Sequence, residues 1–264
     1  MSRQKITAVD FIKKKRRGEK IVMITAYDYP FAKIVDEAGV DGILVGDSLA
    51  MVVLGLENTL GIGLKEIIHH LRAVVRAKPR ALVVADMPFG SYEISTKEAL
   101  RSAALLVKHG AEAVKLEGGE EIADVVKKIV KMGIPVMGHI GLNPQRVLAL
   151  GGYKLMGKKE HQREKILRDA LALEDAGVFA IVIEHTVPDL AAEITKKVSV
   201  PTICIGSGPH CDGQILVLHD VLGLSDVIPY FAKVYADLKQ IARDAVRKFV
   251  EEVKSGKFPS LENR

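Results

Sequence analysis

The sequence predicts an α/β fold, a single (β/α)8 TIM barrel with an extra helix at the N-terminus and a long helix at the C-terminus. Three observations carry that expectation. From Lys20 onward, short β-branched or apolar runs alternate with longer segments of helical period, the pattern of repeated βα units around a parallel sheet. Eight such runs can be counted. The length of 264 residues matches the roughly 250 that one such barrel needs. No Pro/Gly/Ser-rich linker or low-complexity tract divides the chain, so residues 1–264 are read as one domain.

Taken in order, residues 8–15 form the extra helix. The apolar runs that follow are 21–25, 42–46, 81–85, 113–116, 135–139, 180–183, 201–205 and 215–218. Most are hydrophobic at nearly every position, as strands covered on both faces are. Between them, residues 64–77, 96–108, 160–176 and 190–197 carry apolar side chains three and four apart, as helices lying on a barrel do. Phe231, Val234, Leu238, Ile241, Ala245 and Phe249 make an apolar stripe on the long C-terminal helix. That stripe must pack on its own barrel or on a neighbouring subunit.

Composition excludes several classes. With 48% hydrophobic and 27% charged residues the chain is not a disordered domain. Charges interrupt every apolar run well before the roughly 18 residues a membrane span requires. The opening Met1-Ser2-Arg3-Gln4-Lys5 leads into polar and basic sequence instead of an apolar signal core, so a cytoplasmic location is expected. Cys204 and Cys211 supply neither a disulfide framework nor four thiolates for zinc, and two reduced thiols are expected. The 38 Lys+Arg against 33 Asp+Glu leave a net charge of +5, equal in size to the run Lys13-Lys14-Lys15-Arg16-Arg17. Without interleaved aromatics or a recognition motif, that run reads as a solvated basic helix end, and no nucleic-acid or membrane partner is expected.

In a parallel barrel the loops after the C-terminal strand ends build the active site. Here those positions are rich in polar groups: Tyr27-Asp28, Asp47-Ser48, Asp86, Lys115 with Glu117, His139, Glu184-His185 and Gly206-Ser207-Gly208. Lys115 and Glu117 are two apart on one strand and therefore point to the same side. Asp47, Asp86 and Glu117 come from three successive strands. Oxygen ligands without thiolates suit a hard divalent cation that keeps waters, namely Mg²⁺, although each acid could instead cap the helix after it. A zinc site from His139, His219, Cys204 and Cys211 lacks any recognised ligand spacing. Gly206-Ser207-Gly208 reads either as a phosphate cradle or as a tight turn.

Lys115 could pair with Glu117, bind a substrate carboxylate or act as a Schiff-base nucleophile. Neighbouring acids keep a buried lysine protonated, which argues against the last role. Glu184 follows four apolar residues, where desolvation would raise its pKa toward that of a general base; the alternative is a carboxylate simply paired to a lysine. His139 either binds or orients substrate or is a barrel-end histidine satisfied by backbone groups.

The strings that carry these residues resemble one family, ketopantoate hydroxymethyltransferase (3-methyl-2-oxobutanoate hydroxymethyltransferase). They are Thr25-Ala26-Tyr27-Asp28-Tyr29, Leu44-Val45-Gly46-Asp47-Ser48, Ala85-Asp86-Met87-Pro88-Phe89, Val114-Lys115-Leu116-Glu117-Gly118-Gly119, Gly138-His139-Ile140-Gly141-Leu142-Asn143-Pro144-Gln145, Gly151-Gly152-Tyr153-Lys154 and Cys211-Asp212-Gly213-Gln214-Ile215-Leu216-Val217. The resemblance runs from about Lys20 to Lys257. It implies a barrel enzyme that uses Mg²⁺, one per subunit, and 5,10-methylenetetrahydrofolate as co-substrate to convert 3-methyl-2-oxobutanoate to 2-dehydropantoate, toward pantothenate and coenzyme A. It also implies a large homo-oligomer, a decamer or octamer. Carried onto matching positions, the metal-binding acids are Asp47, Asp86 and Glu117, the oxo-acid contacts are Asp47, Ser48, Asp86 and Lys115, and the proton acceptor is Glu184. His139 is added as a substrate-binding candidate. A 2-oxo acid chelates such a metal through its keto and carboxylate oxygens, which stabilises the enolate left when the C3 proton departs.

Three departures from the family pattern stand out. Gly61 and Gly63 replace a usual proline and threonine, His185 follows Glu184 where Cys or Gly is common, and the connection beyond Gly223 is shorter than in some relatives. None removes a proposed catalytic group. Two rivals are a Mg²⁺-dependent carbon–carbon lyase or mutase, which commonly carries a catalytic cysteine in a mobile loop, and a silent oxo-acid-binding scaffold. No matching cysteine motif is present, and the full set Asp47, Asp86, Lys115, Glu117 and Glu184 argues against the scaffold.

Overall fold

A computed structural model describes residues 4–260. Met1 to Arg3, which entered the expectation about export, lie outside the described residues. The chain groups into two compact units, Met1–Val217 and Leu218–Arg264. In the first, eight parallel strands close into a barrel in sequence order: β1 (Ile21–Thr25), β2 (Gly42–Val45), β3 (Leu82–Asp86), β4 (Ala113–Glu117), β5 (Val136–Gly141), β6 (Ala180–Glu184), β7 (Thr202–Ile205) and β8 (Gly213–Leu216). Helix α1 (Ala8–Arg17) precedes them. The connecting helices are α2 (Tyr29–Glu37), α3 (Leu49–Val52), α4 (Leu64–Arg76), α5 (Thr96–Lys108), α6 (Ala123–Lys131), α7 (Val147–Leu150), α8 (Glu160–Asp175) and α9 (Pro188–Lys197). The (β/α)8 expectation therefore holds, with one difference. β7 and β8 are joined by residues 206–212 without a helix.

Period-two alternation fills the barrel. Leu82 and Val84 of β3, Ala113 of β4, Met137 of β5, and Ala180 and Val182 of β6 belong to one buried cluster with Ile21, Met23, Leu44, Ile203 and Ile215. Each of these series continues toward the C-terminal strand end with a polar residue: Asp86, Lys115 then Glu117, His139, and Glu184. The candidate site is thus the polar upper layer of the same inward face that forms the apolar core.

The lower end is closed by α1. A capping box starts this helix, with Thr7 N–H donating to Asp10 Oδ2 (3.0 Å) and the Thr7 hydroxyl donating to the same oxygen (2.7 Å). Gly18, left-handed at φ 67°, ends it. Phe11 is fully buried and packs edge-on against Phe179 at 5.7 Å. A Cβ on Gly42 would lie 3.1 Å from the Phe11 ring and 2.9 Å from Met23, so a glycine there makes room for the plug.

The basic run on α1 is not merely solvated, which corrects the sequence expectation. Lys14 pairs with Asp41 at 2.8 Å and Lys15 with Asp212 at 2.9 Å. Lys15 also donates to the carbonyls of Thr195 (3.0 Å) and Val200 (2.9 Å). Acids in the loops at the N-terminal strand ends face these lysines, a complementarity that becomes visible only when the barrel closes.

The cysteine expectation is corrected as well. Cys204 and Cys211 form a disulfide, their Cα atoms 5.7 Å apart, because the short β7–β8 turn brings them to bridging distance. The eighth strand lies two residues earlier than the apolar run suggested. Gly213 begins it, and a Cβ there would meet Ile21 O at 2.4 Å, so the glycine that reads as a breaker permits close approach of β8 to β1.

In the second unit α10 (Leu218–Val221) is followed by turns and then α11 (Leu238–Lys254). Asp237 caps α11 by accepting from Gln240 N–H at 3.0 Å, so Phe231 and Val234 of the expected stripe precede the helix. Ile241, Val246, Phe249, Val250 and Val253 on α11 are exposed. Among the described residues no helix is long and apolar enough to cross a membrane.

Lys15→Ala removes three interactions of a mostly buried cation and leaves Asp212 with the Thr202 N–H and hydroxyl but no cation. The expected loss is about 2 kcal/mol of unfolding free energy. Chemical denaturation of the full chain measures it, and an unchanged midpoint would show that the Lys15 contacts do not hold α1.

Candidate active site

Strand register places the charged groups side by side. Asp86 is the β3 partner of Lys115, and Glu117 is the β4 partner of His139. Gly141 stands opposite Glu184. A Cβ on Gly141 would come within 2.3 Å of Thr186 Oγ1 and 2.4 Å of Glu184 O, and its φ of +89° suits glycine, so this residue lets β5 close on the Glu184 backbone.

All of the expected residues except Ser48 and Glu184 are almost fully buried. Lys115 Nζ lies 2.8 Å from Asp86 Oδ1, 3.1 Å from His139 Nδ1 and 3.8 Å from Glu117 Oε1. His139 Nδ1 is 3.4 Å from Glu117 Oε1, and its Nε2 is 3.1 Å from Glu184 Oε2. The Asp47 N–H donates to Asp86 Oδ2 at 2.9 Å. Ser48 Oγ shares a hydrogen bond of 2.8 Å with the Tyr27 hydroxyl. The seven residues singled out from the sequence thus form one continuous set around the barrel mouth.

Electrostatics follow from burial and from the excess of acids. Desolvation, reinforced by Asp86 and Glu117, raises the Asp47 pKa well above the carboxylate range. Desolvation also raises that of Asp86, against the pull of Lys115. Burial opposes the charge on Lys115, but Asp86, Glu117 and Asp47 outweigh it and raise its pKa, so it stays an ammonium. That disfavours a Schiff base. Burial and Lys115 act to lower the His139 pKa, while Glu117 and Glu184 lift it to about 9. His139 is accordingly held by acidic side chains and not by backbone groups. The Glu184 side chain sits against His139, and among the described residues no lysine is paired with it.

Gln145 was quoted only as part of a motif, yet it joins the acids. Its Nε2 donates to Asp47 Oδ2 (2.8 Å) and to Met87 O (3.0 Å), and its backbone N–H donates to Glu117 Oε2 (3.0 Å). Its Oε1 accepts from the Tyr92 hydroxyl at 2.7 Å. Tyr92 lies deep in the loop after β3 and also accepts from Glu117 N–H at 3.2 Å. No local pattern marks either residue, because their partners are 25 to 98 residues away. Asp28, by contrast, accepts from Phe31 N–H at 2.8 Å and simply caps α2. Ser207 Oγ donates to Ile183 O and accepts from Thr186 N–H, both at 2.9 Å, so the Gly-Ser-Gly segment is a turn that braces β6.

Among the described residues no three His, Cys, Asp or Glu side chains are set to hold an ion by themselves. Glu117 Oε1 is nonetheless buried without a hydrogen bond, with His139 Nδ1 3.4 Å and Lys115 Nζ 3.8 Å away, whereas Asp86 Oδ1 is ion-paired to Lys115 at 2.8 Å. An acid-rich set with such a carboxylate oxygen fits a hard cation that uses one or two carboxylates and fills its shell with water and substrate oxygens.

A parallel barrel with buried acids, one fixed ammonium and a semi-exposed glutamate at its C-terminal mouth defines a barrel enzyme that acts on small anionic molecules. The ketopantoate hydroxymethyltransferase family model matches residues 5–261, and the chain belongs to that family. Similar proteins include the 3-methyl-2-oxobutanoate hydroxymethyltransferases of Sulfolobus acidocaldarius, 63% identical over 263 residues (100% of this chain, 98% of that protein), and Sulfurisphaera tokodaii, 61% identical over 260 residues (98% and 97%). Among solved structures, phosphonopyruvate hydrolase in complex with oxalate and Mg²⁺ superposes with a TM-score of 0.63 at 15% identity, covering 98% of this chain and 93% of that one. A 2,3-dimethylmalate lyase of the PEP mutase/isocitrate lyase superfamily gives 0.61 at 17%, covering 97% and 90%. At that identity the likeness is one of fold.

Gln145→Leu would leave Asp47 Oδ2 and Met87 O without the amide that donates to them in a buried site, while the Tyr92 hydroxyl keeps Glu117 O (3.0 Å) and Glu117 N–H (3.2 Å). A loss of about 3 kcal/mol in stability is expected, read by chemical denaturation. A loss under about 1 kcal/mol would mean that water replaces the amide.

Proposed function

We propose that this protein transfers the one-carbon unit of 5,10-methylenetetrahydrofolate to C3 of 3-methyl-2-oxobutanoate as a hydroxymethyl group, with water supplying the hydroxyl, giving 2-dehydropantoate and tetrahydrofolate. The observation that carries the reading is the ordered set Asp86–Lys115–His139–Glu184. It presents a cation for the substrate carboxylate and, across the ring of His139, a carboxylate for the C3 proton.

Lys115, kept protonated by three acids, neutralises the substrate carboxylate, and Ser48 donates a hydrogen bond to it. Glu184 Oε1 or Oε2 takes the proton from C3. His139, at 3.1 Å from Oε2, fixes the carboxylate and stabilises its charge before the transfer. Water adds to the methylene of the opened folate and the C–N bond breaks, releasing tetrahydrofolate; the C3 carbanion attacks the one-carbon unit so freed, and Glu184 returns its proton to the new alkoxide, which becomes the hydroxyl. Asp47, Asp86 and Glu117 are the proposed holders of one Mg²⁺ per subunit, in part through water. When bound, that ion supplies Lewis acidity at the keto oxygen of the substrate. Gln145 holds Asp47 and Glu117 in place, so fewer groups must reorganise during the reaction. The names and the 58–63% identity of the relatives support the choice of substrates. The reading includes a cytoplasmic location and a homo-oligomer, the latter supported by the exposed apolar side chains of α11.

Glu184→Gln is expected to slow metal-dependent deuterium exchange at C3 of 3-methyl-2-oxobutanoate by about 100-fold or more. It should leave oxo-acid binding intact. Undiminished exchange rules out Glu184 as the base.

Asp86→Asn is expected to raise the Mg²⁺ concentration for half-maximal exchange at least about tenfold. A metal titration of the variant with unchanged midpoint counts against the ligand assignment. Product formation without the folate co-substrate would point instead to a lyase or mutase.

A further inference from the structure

Tyr27, just beyond the end of β1, is a polar group of the barrel mouth to which the chemistry above gives no part. It is buried. Its carbonyl lies 2.7 Å from His70 Nδ1 on α4 and the two rings meet edge-on at 6.4 Å, so backbone and ring are both held. The phenol reaches Ser48, the two hydroxyl oxygens being 2.8 Å apart. The buried Thr25 side chain also hydrogen-bonds the phenol.

Ser48 stands where a helix cap would, directly before α3. Its backbone is nevertheless helical (φ −53°, ψ −18°), and its side chain makes no capping hydrogen bond to that helix. Oγ is therefore not claimed by α3. Gly46 leaves it room, since a Cβ there would lie 3.0 Å from Ser48 Oγ and 3.3 Å from Asp86 Oδ2.

A serine hydroxyl holds one proton. A hydrogen bond between two hydroxyls can run either way, and here its direction decides whether Ser48 has that proton to give to an anion. A phenol is the stronger acid of the pair, hence the better donor and the poorer acceptor. Burial, with Asp47 and Asp86 acting in the same direction, raises the phenol's pKa, so the phenolic proton stays in place.

We propose that Tyr27 is a positioning residue for substrate binding: its phenol donates to Ser48 Oγ and so turns the single serine proton toward the substrate carboxylate. The inference rests on the transferase reading above, in which Ser48 and Lys115 hold that carboxylate. Thr25 donates to Tyr27, Tyr27 to Ser48, and Ser48 to the anion, so the bonds polarise one another toward the negative charge. No proton is transferred along this relay. Lys115 is a point charge with rotatable donors, whereas the relay fixes the side from which the carboxylate is met.

The test measures the Kd of 3-methyl-2-oxobutanoate for the full chain with Mg²⁺ by titration calorimetry. The stoichiometry counts folded sites, so a variant that folds only in part still yields the constant. Tyr27→Phe keeps the ring and is expected to weaken binding about tenfold, as is Ser48→Ala, which removes a hydrogen bond to a charged group. The double variant is expected to match either single one within about threefold, because Tyr27 acts only through Ser48. In C3 exchange the effect of Tyr27→Phe should lie in KM far more than in kcat. Binding that Tyr27→Phe leaves unchanged or tightens overturns the relay alone, since Ser48 would then have its proton without Tyr27 or be spending it on the phenol. A double variant weakened about a hundredfold, the product of two independent losses, does the same. No binding of the oxo acid by the unaltered protein overturns the transferase reading and the relay with it.

Discussion

Burying Lys115 is the constraint on which the site depends. An ammonium only 4% exposed cannot persist without anionic neighbours, and the barrel supplies Asp86, Glu117 and Asp47 around it. Burial, with repulsion among the same acids, pushes Asp47 and Asp86 toward their neutral forms, and Glu117 Oε1 is left without a hydrogen bond. The cluster is therefore built with more negative charge than its own cations balance. A bound cation and an anionic substrate beside Lys115 would complete it.

Barrel closure delivers the strand-borne part of this arrangement, and the loops add Asp47, Tyr92 and Gln145 to it. The residues below the site and the residues within it occupy the same inward-facing series, apolar for the lower layers and ionisable for the top one. Strand register then decides which charges touch: Asp86 meets Lys115 and Glu117 meets His139 because they are neighbours across the sheet. Helix α1 makes the lower end permanent with Phe11 and paired lysines, which leaves the C-terminal mouth as the open end.

Much of this was legible in the chain itself. The alternation of apolar runs and helical segments, and the polar residue at each run's end, gave both the barrel and the residues Asp47, Ser48, Asp86, Lys115, Glu117, His139 and Glu184. The parity of Lys115 and Glu117 on one strand followed from spacing alone. Gln145 and Tyr92 were not legible, since their importance lies in partners remote in sequence. Nor was the disulfide, because seven residues of separation become a bridge only through the turn between β7 and β8. Glu184 was singled out because it follows a run of apolar residues, and its contact with His139 becomes visible only in the structure.

Local order and identity were fixed by the sequence: which segments are strands and helices, which residues face inward, and which family the strings resemble. Those properties depend on periodicity and on neighbours a few positions apart. Tertiary structure alone decided how the charges pair and that Lys14 and Lys15 serve the barrel floor instead of solvent. Coulombic and hydrogen-bond energies depend on distance in space and on burial, and neither is defined until the eight strands have closed.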